Sequence, residues 1–69
     1  MLAFRRLLWR RRVIVNLVDG SAFDGILYRQ TGPLLVLRDA TRLERGAEPL
    51  QLDGEAVIER DRVLYIQAL

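Results

Sequence analysis

Residues 13–40, VIVNLVDGSAFDGILYRQTGPLLVLRDA, alternate apolar and polar side chains, turn at Asp19-Gly20, alternate again, break at Gly32-Pro33 and alternate a third time. A period of two marks strands with differing faces. Three strands within 28 residues make a small, strongly bent antiparallel sheet. In the first strand, residues 13–18, Val13, Val15 and Leu17 share one face and Ile14, Asn16 and Val18 the other. In the second, residues 22–29, Phe23 and Leu27 point one way with Gly25 between them. A glycine in mid-strand marks a bend or the close approach of another backbone, and a bend lets so small a sheet curl into a barrel. The third strand, residues 34–40, is apolar at its start, as a strand covered on both faces would be.

Working outward, residues 41–48 read as a charged loop containing Gly46. Residues 49–58 read as a fourth strand in which Gly54 permits a bend or bulge. Residues 59–61 form a tight charged turn, and residues 62–67 a fifth strand. Upstream, residues 2–12 read as a short helix, with Phe4, Leu7 and Leu8 forming one apolar stripe and Trp9 at its boundary. So short a helix is unstable alone and must dock, most simply across the open end of the barrel. The expected organisation is a basic amphipathic helix over residues 1–12 and a barrel over residues 13–69. The expected fold class is all-β: a five-stranded, SH3-like, strongly bent antiparallel barrel.

The chain has 69 residues, 51% of them hydrophobic, with neither cysteine nor histidine. A domain this short buries only about 60% of its unfolded surface. No disulfide or Cys/His zinc site can staple it, which leaves a well-packed core and self-association as stabilisers. The net charge of +2 conceals an asymmetry. Residues 1–12 carry five arginines and no acid, whereas residues 13–69 carry six arginines against nine acids. Every basic side chain is arginine, whose planar fork suits phosphate or carboxylate. No segment reaches the roughly 20 apolar residues of a membrane span, and the N-terminus lacks the uninterrupted apolar run of a signal peptide. The expected location is the cytoplasm, or a virion if the chain is phage-encoded; a leader lying on a membrane surface through Leu2, Phe4, Leu7 and Leu8 is a further reading.

Catalysis is not expected. Ser21 stands beside Asp19 with only carboxylates as candidate bases. Asp19 with Asp24, and Asp53 with Glu55, read as solvated turn acids without metal-loop spacing. Tyr28 and Tyr65 read as packing or interface residues. No cofactor, metal or small-molecule substrate is expected.

Leu17, Asp19, Gly20, Phe23, Gly25, Leu27, Leu35, Val36, Leu37 and Ala40, followed by Ile58, Val63 and Ile66, fit the two sequence motifs of the Sm-like family with one deletion in the 29–33 turn. The chain resembles that family over residues 13–67. The resemblance implies a non-enzymatic barrel that forms a homo-oligomeric ring and binds RNA or single-stranded nucleic acid. It departs from the family where a base is clamped: Pro33 and Leu34 replace an aromatic and an asparagine, and Glu59 and Arg60 replace Arg-Gly. Leucine lacks the amide that reads a base edge. Contact is therefore expected through arginine-rich surfaces. The candidate nucleic-acid residues are Arg5, Arg6, Trp9, Arg10, Arg11 and Arg12 of the leader, Arg29, Gln30 and Thr31 of the second strand and its turn, and Arg60 and Arg62.

The last strand contains neither proline nor lysine, the usual edge blockers. The candidate oligomer interface comprises Leu50, Leu52, Val57, Val63, Leu64, Tyr65 and Ile66. The tail, LDGEAVIER at residues 52–60, is loosely similar to small proteins encoded by actinobacterial phages. This implies an alternative: a structural or assembly protein of a phage virion, or an adaptor, that docks the same barrel on protein partners. The leader arginines also fit pairing with acids of a neighbouring subunit.

Overall fold

The computed structural model describes residues 10–69, and the expected helix lies outside them apart from residues 10–12. Those three residues are not helical. Arg10 has φ +61°, its N–H donates to the Leu27 carbonyl at 2.8 Å, and the Arg11 carbonyl accepts from the Leu27 N–H at 3.0 Å. The sheet claims them because their backbone groups find partners along a neighbouring strand.

Six strands follow: β1 Arg12–Leu17, β2 Ala22–Thr31, β3 Leu34–Leu43, β4 Leu50–Gln51, β5 Glu55–Glu59 and β6 Val63–Ala68, with a 3-10 turn at Arg60–Arg62 between the last two. They form one antiparallel sheet in the order β4-β3-β2-β1-β6, with β5 also paired to β3. Alternation places Val13, Val15, Leu17, Leu27, Leu35, Leu37, Ala40, Ala56 and Ile58 in a single core, flanked by Phe23, Leu52, Val63 and Ile66. Val36 is buried as well, so the start of β3 is covered on both faces.

Two boundaries differ from the sequence expectation. β3 runs three residues beyond Ala40, because Ala22, Phe23 and Asp24 pair with Leu43, Arg42 and Thr41. The expected fourth strand is two strands, broken where Gly54 takes φ +75°. β3 meets these two in succession: residues 34–38 pair with β5 and residues 41–42 with β4. The change of partner coincides with a bulge between Arg38 and Thr41, where Asp39 adopts φ +52°. Gly25 lies against that bulge. A Cβ built there would stand 3.1 Å from the Arg38 carbonyl oxygen and 3.3 Å from the Ala40 Cα. The glycine thus serves a close backbone approach.

The Asp19-Gly20 turn is also chemically specific. Only Gly20 has positive φ, +93°, and its N–H donates to the Leu17 carbonyl at 3.1 Å. The Asp19 side chain instead accepts from the Ser21 N–H at 2.9 Å and the Ser21 hydroxyl at 2.6 Å. This is the Asx arrangement that favours aspartate in turns. Those bonds hold the Asp19 carboxyl below the ordinary aspartate range, and Arg62 adds a smaller effect in the same direction.

Candidate nucleic-acid interface

The candidate cations fall into separate groups. Arg5, Arg6 and Trp9 lie outside the described residues. Arg10 and Arg11 are exposed, and their backbone bonds to Leu27 bring them beside β2 close to Arg29. Arg11 also donates through its guanidinium to the Leu69 carbonyl at 2.9 Å. Arg29 is exposed and sits opposite Val36 in the ladder. The sequence has no acid before Asp19, and none from residue 26 to residue 37. This corner of the sheet therefore gathers Arg10 and Arg11, just ahead of β1, with Arg29 of β2, all from stretches of sequence that carry no acid.

Arg12 belongs elsewhere. Its two terminal nitrogens donate to Asp24 and Asp39, each at 2.7 Å. The bonds to Asp24 and then Asp39 raise its pKa above the ordinary arginine value. Gln51 reaches the other oxygen of Asp39 at 3.4 Å. Arg12 is thus a clasp between β1, β2, β3 and β4, and its fork is occupied by carboxylates. Sequence reading grouped it with the leader arginines; only the strand register reveals acids on both sides of it.

The β2–β3 turn meets the 3-10 turn at a second point. Gly32 takes φ +55°, Thr31 pairs with Leu34, and the Arg60 N–H donates to the Pro33 carbonyl at 2.7 Å. Exposed Thr31, half-buried Gln30 and half-buried Arg60 therefore converge on one rim. Glu59 pairs with Leu34 at the same place. Arg62 does not join them. Its carbonyl accepts from the Val18 N–H at 2.9 Å, which places it towards the β1–β2 turn, in the field of Asp19. Along residues 59–62 the charges alternate in sign, so this rim has little net attraction for phosphate.

The remaining surface feature is the pair of open edges. Among the described residues β5 hydrogen-bonds only to β3, and β6 only to β1. Both edges carry exposed apolar side chains: Val57 is 58% exposed, Leu64 64% and Tyr65 53%. Leu50 is 56% exposed on β4. Leu52, Val63 and Ile66, expected at the same interface, are half-buried and pack partly against the core. A shallow groove beside β5 is lined by Leu17, Phe23, Val57, Ile58, Glu59 and Arg62. Another feature that sequence reading missed is the Arg38 guanidinium, stacked 3.4 Å from the centroid of the Tyr28 ring while donating to Glu55 at 3.1 Å. Among the described residues no group of three acids, histidines or cysteines could hold a metal ion, and no helix is long and apolar enough to cross a membrane.

A six-stranded, sharply bent antiparallel barrel with two open apolar edges defines a class of small modular β proteins. Comparison places the chain within it. It superposes on a heptameric archaeal Sm protein with a TM-score of 0.81 at 26% identity, covering 97% of each chain. The Pyrococcus abyssii Sm protein, solved in complex with a uridine heptamer, matches with a TM-score of 0.83 at 29% identity, over 99% of this chain and 96% of that one. The P. aerophilum SmAP1 heptamer matches with a TM-score of 0.83 at 26% identity, over 100% and 92% respectively. No protein-family sequence model matches the chain, and no curated protein matches it significantly. The chain has the Sm fold and is similar to these Sm proteins over nearly its whole length.

Proposed function

We propose that the chain forms a homo-oligomeric ring, by pairing β5 of one copy with β6 of the next, and that the ring binds RNA or single-stranded nucleic acid. The observation that carries this reading is the pair of unpartnered edges with exposed Val57, Leu64 and Tyr65, on a fold whose matched relatives include heptamers and a uridine-heptamer complex. Edges of this kind template pairing with another chain, and a repeated head-to-tail contact closes into a ring. Attraction for phosphate is assigned to Arg10, Arg11 and Arg29, with Arg5 and Arg6 of the leader adding to it. Thr31, Gln30 and Arg60 form the rim contacts. Arg12 contributes by holding the sheet together.

Native mass spectrometry of the purified chain, with and without a uridine heptamer, tests both halves. A single closed oligomer that takes up the oligonucleotide is expected. A monomer that ignores the oligonucleotide would refute the proposal and favour the alternative, in which the same edges dock on a protein partner. Replacing Arg10, Arg11 and Arg29 together with alanine should weaken binding. It should also make the dependence of log affinity on log salt shallower by about 2, given a slope of about 0.7 per phosphate contact on single strands. An unchanged slope would remove these arginines from the site.

A further inference from the structure

Two charged side chains of opposite sign stand beside the open edges. Glu59 ends β5 and Arg62 immediately precedes β6. Both are exposed, and among the described residues neither side chain has a hydrogen-bond or ion-pair partner. Arg62 acts on Asp19 only as a minor influence, and the Asp19 carboxylate is already engaged by Ser21. Glu55, at the other end of β5, is likewise engaged, by Arg38 at 3.1 Å. Glu59 also stands where the sequence motif carries arginine, so its charge is a property of this chain.

The strand order brings the two together between copies. When β5 runs antiparallel to β6 of the next copy, the end of β5 meets the beginning of β6. Val57, Leu64 and Tyr65 are all more than half exposed, and they are the apolar side chains such a seam would cover. Setting Val57 opposite Leu64 puts Glu59 opposite Arg62. Setting it opposite Tyr65 puts Glu59 opposite Val63, one residue away. Residues 63–69 carry no charge, so Arg62 is the cation at the start of that edge. We propose that Glu59 of each copy forms an ion pair with Arg62 of the next, and that this pair selects which edges join. The inference rests on the ring reading above and names the charged contact by which one copy recognises another. The arginine fork suits a carboxylate, and opposite charges facing across strands stabilise whereas like charges repel. Two β5 edges paired antiparallel about Val57 would set Glu59 against Glu55, so the same carboxylate disfavours the wrong association.

The test uses full-length Glu59→Arg and Arg62→Glu, alone and mixed in equal amounts, with native mass spectrometry over a dilution series at one low salt concentration. Both sites are exposed, and circular dichroism should show both variants folded. Each variant alone should fall apart at a protein concentration about tenfold above that of the wild type, as exchanging attraction for repulsion at an exposed pair implies. The mixture should reassemble into oligomers holding the two variants in near-equal numbers, because every seam between unlike variants again joins opposite charges. A pair formed within one copy would be restored in the Glu59→Arg/Arg62→Glu double variant but not by mixing, so a mixture that stays dissociated would overturn the proposal. Single variants that assemble like the wild type would overturn it too, while leaving the ring intact. A wild type that is monomeric throughout would remove the ring reading itself. Should either reversal fail to fold, the milder Glu59→Gln and Arg62→Gln give the same answer: their effects on dissociation should be smaller together than their sum, and strict additivity would overturn the pair.

Discussion

Gly25→Ala isolates the contact that bends the sheet. The backbone at Gly25 lies outside the left-handed region, so alanine can adopt it without torsional strain. Two effects favour the variant: a less flexible unfolded chain, about 0.4–1 kcal/mol, and burial of a methyl group, about 0.8 kcal/mol. Against them stand contacts of 3.1 Å to the Arg38 carbonyl oxygen, 3.3 Å to the Ala40 Cα and 3.3 Å to the Leu37 Cβ. Two of the three are backbone atoms of the bulge, where Arg12 and Gln51 already fix Asp39. They cannot swing aside as a side-chain tip can. Relief requires β2 and β3 to separate, and overpacking of this kind costs about 1–3 kcal/mol net. Gly25→Ala should therefore lose at least about 1 kcal/mol, or about 4–8 °C in Tm per kcal/mol for a domain this size. Urea unfolding followed by far-UV circular dichroism, at one fixed protein concentration because assembly adds to stability, would read it as a lower midpoint at constant slope. Gly32→Ala is the control: nothing lies within 4 Å, and only its φ of +55° opposes alanine. A Gly25→Ala protein as stable as the wild type would refute the view that this glycine is kept for lack of space.

Val57→Lys should leave the subunit folded, since the side chain is 58% exposed and such surface changes usually fall within about 0.5 kcal/mol. A lysine on an open edge blocks strand pairing, so size-exclusion chromatography with light scattering should report a smaller species; an unchanged oligomer would exonerate the β5 edge. Ser21→Ala removes the hydrogen bond from the serine hydroxyl that helps lower the Asp19 pKa, while the bond from the backbone N–H remains. A depressed carboxyl contributes stability that is present above its unfolded pKa and lost as pH falls through its folded one. The difference in urea midpoint between wild type and Ser21→Ala should therefore hold steady at neutral pH and shrink below the ordinary aspartate range. A difference independent of pH would contradict that origin.

Strand alternation over residues 13–40 made the bent sheet legible, and mid-strand Gly25 announced the close approach that the bulge confirms. The open edges were legible too, in a last strand lacking proline and lysine. What stayed hidden depends on register between segments far apart in the chain. Nothing local to Thr41, Arg42 and Leu43 marks them as strand; they are extended because residues 22–24 need partners. Nothing local to Arg12 separates it from Arg10 and Arg11; it differs because pairing with β2 and the bulge in β3 set Asp24 and Asp39 within reach.

The ladder between β1 and β6 joins residues 13–17 to residues 63–68. About fifty intervening residues must be threaded before this seam can form, which makes it the costliest closure in the molecule and a step expected late in folding. During synthesis the outer margin of β1 waits bare until β6 emerges from the ribosome. Over that interval a β6 supplied by another nascent copy could fill the same groove, so subunit exchange at this seam competes directly with correct folding.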